Sequence, residues 1–192
     1  MSQFEVYFKL GIAHILDLEG FDHILFVIAL CAIYLGRDWR KIIILVTAFT
    51  IGHSITLALA TLNIIKVNSA MVEFLIPVTI AITALFNIFK PRPTNGRGVQ
   101  INYFFALFFG LIHGLGFSNY LRSLLGREAS IFQPLLAFNL GLEVGQLAIV
   151  AIFLLIGSIF VGIFGNRKEW TLVTSAVVLG MAVMMVLENR YW

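Results

Sequence analysis

Charge and cysteine are what this chain has least of. Only 12% of its 192 residues are Asp, Glu, Lys or Arg, against about 25% in an ordinary soluble domain. A single cysteine, Cys31, excludes an intrachain disulfide. No Gly-x-x-x-x-Gly-Lys-Ser/Thr loop is present, so this chain does not cradle a nucleotide phosphate itself. The His-Glu-x-x-His and Gly-x-Ser-x-Gly signatures are missing too, which removes the commonest metalloprotease and serine-hydrolase patterns. The N-terminus has no basic stretch and no small-residue cleavage site, and Glu5 comes early, so the chain is expected to be retained from Met1 onward. The net charge of +3 is not a nucleic-acid signal, because in so apolar a chain basic residues mostly encode topology.

What fills the chain instead is hydrocarbon. Sixty per cent of residues are hydrophobic, mean hydropathy is +0.96, and several runs approach the ~20 residues that cross a bilayer. The runs are continuous and not alternating, which points to helices and away from a barrel. The expected fold is all-α: a polytopic transmembrane bundle forming one integral membrane domain over residues 1–192. Residues 1–19 form an N-terminal half-helix and a polar break. Phe4, Tyr7, Phe8 and Ile12 share one helical face there, so this segment lies in the interface or tucks against the bundle. Six spans are expected within 21–187, at 21–35, 42–62, 70–89, 100–117, 131–165 and 170–187. Lys90 to Gly98 is a linker rich in Pro, Gly and charge, and Asn119 to Ser130 a polar loop. The stretch 131–165 would be ~50 Å long as a helix, so it must tilt, protrude or break near Gly141 and Gly145.

Basic residues orient the bundle. With the 36–41 loop in the cytoplasm, eight of the thirteen Lys and Arg fall inside and five outside. The chain is read as an integral protein of the bacterial inner membrane with both termini outside the cytoplasm.

Polar residues inside apolar runs are costly, about 2.5–3.5 kcal/mol for an aspartate at a helix centre on the insertion scale. Asp22 and His23 open the first span, with His14 just before them. His53 lies in a hydroxyl-rich stretch with Thr50 and Ser54, and His113 sits between Gly110 and Gly114. Asn139, Glu143 and Gln146 form one stripe at i, i+4 and i+7. Glu73 enters one turn into the third span. In the expected topology Asp22, His23, His53, Glu73, His113 and Glu143 share the outer half of the bilayer although they come from five spans, and His14 sits just outside it. Imidazole plus carboxylate suits nickel, cobalt, zinc or ferrous iron. The metal set read here is His14, Asp22, His23, His53, His113 and Glu143. Glu73, Thr50, Ser54, Asn139 and Gln146 are supporting or pathway groups.

Four segments resemble the HupE/UreJ family of small membrane proteins: His14 with Gly20-Phe21-Asp22-His23-Ile24-Leu25-Phe26, then Phe49-Thr50-Ile51-Gly52-His53-Ser54-Ile55-Thr56-Leu57, then Leu111-Ile112-His113-Gly114-Leu115-Gly116-Phe117, and Phe138-Asn139-Leu140-Gly141-Leu142-Glu143-Val144-Gly145-Gln146. The resemblance implies a nickel or cobalt permease of the kind associated with hydrogenase and urease maturation. Two other readings fit the residues themselves. One is a membrane-embedded zinc- or iron-dependent hydrolase or oxidase using the same ligands. The other is a haem protein with His53 and His113 as axial ligands. Expected partners are a divalent metal ion and the lipid bilayer, with room for a homo-oligomer and none for nucleic acid.

Overall fold

The computed structural model describes residues 2–89, 96–125 and 131–192, so most of the expected 90–98 linker lies outside the described residues. The described chain is all-α, with eight α-helices and no strand. They are α1 (Gln3–Ile15), α2 (Asp22–Cys31), α3 (Trp39–Thr61), α4 (Ser69–Phe89), α5 (Gly96–Gly116), α6 (Ser118–Leu125), α7 (Phe132–Phe164) and α8 (Arg167–Glu188). Four are long and apolar enough to cross a membrane: α3 with the turn before it, α4, α7 and α8. A fifth crossing is available if α5 and α6, which meet at a 51° bend, count as one span. The 119–130 segment is therefore not all loop. Its first part is α6, and 126–130 lies outside the described residues.

The expected first span is shorter than its apolar run. α2 has ten residues, ~15 Å of helix against a hydrocarbon core of ~30 Å. Yet it is the most enclosed helix, with Leu25, Phe26, Val27, Ala29, Leu30 and Cys31 all buried. A helix that ends among other helices leaves carbonyls without partners, and here neighbouring side chains supply them. Asn87 Nδ2 donates to Ala29 O at 2.7 Å, Thr171 Oγ1 to Ala32 O at 3.0 Å, and Arg167 Nη2 to Ile33 O at 2.6 Å.

α1 is docked on the bundle along α7. Phe8 and Ile12 meet Gly141, while Ile12 and Ile15 meet Gly145, so the two helices run the same way. A Cβ at Gly11 would collide with the Phe138 carbonyl oxygen, and one at Gly141 with that of Phe8. Small residues thus let the backbones touch, the usual device for helix pairs in lipid. α2 continues in the same direction, because its far end meets Asn87 and Thr171, near the ends of α4 and α8 adjoining the α7–α8 turn. Together α1 and α2 have the length of one crossing, ~35 Å, interrupted at residues 16–21. α3 and α5 use the same device, with Gly52, Gly110 and Gly114 each against a carbonyl oxygen of the other helix.

α7 is unbroken through Gly141 and Gly145 and has 33 residues. It stops where Gly165 takes φ +70° and its N–H reaches Val161 O at 2.8 Å. Asn166 then caps α8 by accepting from the Lys168 and Glu169 N–H groups. Ile152, Leu155, Ile156, Ile159 and Ile163 of α7, with Val173, Val177 and Met184 of α8, stay exposed. Such an apolar outer surface is what acyl chains require.

Candidate metal centre

The interruption between α1 and α2 creates the site. α1 ends at Ile15 with His14 in its last turn, and α2 begins with Asp22 and His23. The polar segment between them is exposed. α3 brings His53 to the same point, and α5 brings His113, positioned by the close α3–α5 approach at Gly110 and Gly114. The ring centroids lie 4.6 Å apart for His14–His23, 6.2 Å for His14–His53, 6.0 Å for His23–His53 and 5.3 Å for His23–His113. His53 and His113 are fully buried and His23 nearly so, whereas His14 and Asp22 keep partial exposure.

Two overlapping triads result: His14, His23 and His53, and Asp22, His23 and His113. Within each, ligand atoms lie within 4.8 Å of one another. His23 belongs to both. Aromatic side chains wall the cluster. Phe117 lies 3.9 Å from His14 between centroids, Phe26 4.8 Å and Phe49 5.2 Å from His113, and Phe138 6.4 Å from His53.

Hydrogen bonds fix which ring nitrogens are free. Asp22 Oδ1 accepts the His23 backbone N–H at 2.9 Å and stands 3.1 Å from His23 Nδ1. A carboxylate can only accept, so the Nδ1 proton faces Asp22 and the lone pair of a neutral His23 lies on Nε2. Thr79 Oγ1 donates its one proton to Ile76 O at 2.7 Å and sits 3.1 Å from His113 Nε2. Its oxygen must therefore accept from His113, which leaves the lone pair on Nδ1. His23 Nε2 and His113 Nδ1 are buried without a hydrogen-bond partner, as are His14 Nε2 and both ring nitrogens of His53. The Asn139 carboxamide interacts with His53 but not in good hydrogen-bond geometry, and its Nδ2 donates to Leu135 O at 2.8 Å. Each buried unpaired polar atom costs about 1–3 kcal/mol. Four adjacent histidines presenting unpaired nitrogens are therefore costly as packing alone, and together they could hold a metal ion.

Other residues singled out in the sequence are in neither triad. Glu143 belongs to neither triad, and its Oε1 accepts from Thr47 Oγ1 at 2.7 Å. Thr50 Oγ1 donates to Gln146 Oε1 at 2.8 Å, and Ser54 Oγ to Thr50 O at 2.7 Å. Glu73 is exposed at the start of α4. The sequence reading missed Thr79, and the only signal for it was a hydroxyl two residues after Pro77. It also missed Thr47 as the partner of Glu143, although the intervals from Thr47 to Thr50 and from Glu143 to Gln146 are the same.

The family model described as HupE / UreJ protein matches residues 1–190. Neither a curated protein nor a solved structure matches the chain.

Proposed function

The chain belongs to the HupE/UreJ family, a membrane family associated with nickel and cobalt uptake, and from that premise we propose that it is an uptake permease for a divalent transition metal, nickel first and cobalt second. One observation carries the reading: four histidines on four helices, three of them buried and the fourth partly so, bring unpartnered buried nitrogens together at the break between α1 and α2. His14, His23 and His53 are the nitrogen ligands that replace the hydration shell of the ion. Asp22 holds the His23 Nδ1 proton and so aims Nε2 at the metal, the usual carboxylate partnership of a ligating imidazole. His113, held by Thr79, adjoins this set as a further ligand. Glu143, which joins neither triad, serves the path.

In the orientation given by the basic loops, the ion enters from outside, where His14 and Asp22 remain partly exposed. Inward movement is favoured by the membrane potential, about 2.3 kcal/mol per charge per 100 mV. Discontinuous helices at a buried ion site are a known way to build such paths.

The test is nickel accumulation by cells expressing wild type, His53→Ala or His23→Ala, alongside elemental analysis of the purified proteins. Accumulation above that of empty cells, lost in both variants, is the expected result. Stoichiometric metal in the wild-type protein with no accumulation would overturn transport and favour a resident metal, as in a membrane-embedded hydrolase or oxidase.

A further inference from the structure

A transported ion needs a way out, and the structure contains a second polar station beyond the histidines. α3 carries Thr50 and Thr47 on the Trp39 side of His53. Thr47 donates to Glu143 Oε1 at 2.7 Å, and Thr50 to Gln146 Oε1 at 2.8 Å. The step from His53 to Thr47 is six residues, ~9 Å along the helix. On α7, Asn139 interacts with His53 and Glu143 lies one turn further on. The two clusters are therefore consecutive along the same pair of helices.

Glu143 is half-buried, and no Lys, Arg or His among the described residues forms an ion pair with it. Gln146 is fully buried and its Nε2 has no hydrogen-bond partner. An uncompensated carboxylate facing a second helix inside a membrane bundle is expensive without a function. The donor chemistry also changes here, from imidazole nitrogen to carboxylate, carboxamide and hydroxyl oxygen. For nickel or cobalt, oxygen groups hold less tightly than imidazoles. Conduction needs this order, tight enough to enter and weak enough to leave.

We propose that Glu143, with Thr47, Thr50 and Gln146, forms a second and weaker divalent-cation station, which receives the ion from the histidine cluster and passes it toward the Trp39 end of α3. This inference rests on the transport reading above and assigns Glu143 to release, not to initial capture. No covalent or redox step is involved.

The experiment compares wild type, Glu143→Gln, Glu143→Asp, Thr47→Val and His53→Ala. Two quantities are read for each: the initial rate of nickel(II) uptake into cells, and nickel bound at equilibrium per purified chain. Glu143→Gln keeps the shape and an acceptor for Thr47, so folding is expected to survive. The proposal expects its uptake to fall about tenfold, the rate lost with about 1.4 kcal/mol of transition-state stabilisation, while nickel bound at concentrations that fill only the tighter histidine cluster stays at the wild-type level. Glu143→Asp restores part of the rate, and Thr47→Val slows uptake less than Glu143→Gln. His53→Ala loses both quantities. Unchanged uptake in Glu143→Gln would overturn the station, and so would loss of bound nickel matching His53→Ala, because Glu143 would then be a ligand of the histidine site. If wild type itself neither binds nor accumulates nickel, the transport reading fails and this inference fails with it, a result distinct from either of the others.

Discussion

At the scale of single residues, the site is decided by where two protons sit. Asp22 holds the Nδ1 proton of His23, and Thr79 accepts the Nε2 proton of His113. Nitrogen-15 NMR of histidine-labelled, metal-free protein should therefore find the two rings in opposite tautomers, His23 protonated at Nδ1 and His113 at Nε2. The same tautomer in both would refute the hydrogen-bond assignment. Asp22→Asn preserves size but removes the carboxylate that orients His23. Loss of such an orienting partner usually lowers metal affinity about 10–100-fold, and a competitive nickel titration should show a drop in that range. Unchanged affinity would mean that Asp22 does not orient the ligand. Thr79→Val should weaken binding less, because His113 lies outside the three-histidine triad and keeps its burial.

At the scale of elements, glycine contacts set the positions of the histidines. A methyl group at Gly11 would strike the Phe138 carbonyl, and one at Gly52 that of Leu107. Overpacking of this kind costs about 1–3 kcal/mol. Gly11→Ala should therefore lower the melting temperature in detergent and weaken metal binding, because α1 carries His14. Gly162 and Gly180 have nothing within 4 Å of a built Cβ. Alanine at either should leave stability within about 0.5 kcal/mol of wild type, and a matching loss there would dismiss the packing argument. The contrast also explains what could be read from the sequence. Helical type and apolar runs were legible, since hydropathy reports them directly. The candidate metal residues stood out because charge and imidazole are rare in such runs. The early end of α2 was not legible. Ala32 to Tyr34 are as apolar as the helix before them, and what receives the α2 carbonyls is Asn87, Thr171 and Arg167, distant in sequence. That Glu143 joins neither triad was hidden for a similar reason: spacing along α7 reveals its face, and only the crossing with α3 reveals that Thr47 occupies that face.

At the scale of the whole molecule, the direction of the proposed transport depends on which ends of the bundle face the cytoplasm. Hydropathy is the same from either side, so the orientation follows from the distribution of basic residues, eight against five. The single cysteine makes this testable without first removing others. Cys31 is fully buried, so a membrane-impermeant maleimide should leave wild type unlabelled. Lys66 lies exposed in the α3–α4 connection, and Glu169 is exposed in the first turn of α8, at the other end of the bundle. Replacing Lys66 by cysteine removes a positive charge from the side expected to be outside, and replacing Glu169 leaves every basic residue in place, so neither change works against the predicted orientation. In intact cells Lys66→Cys should label and Glu169→Cys should not. Glu169→Cys should become reactive once the membrane is permeabilised. The reverse pattern would place the partly exposed His14 and Asp22 toward the cytoplasm. The tight nitrogen cluster would then be the last station an incoming ion meets and the Glu143 station the first, an order suited to export or to retention of metal and contrary to uptake.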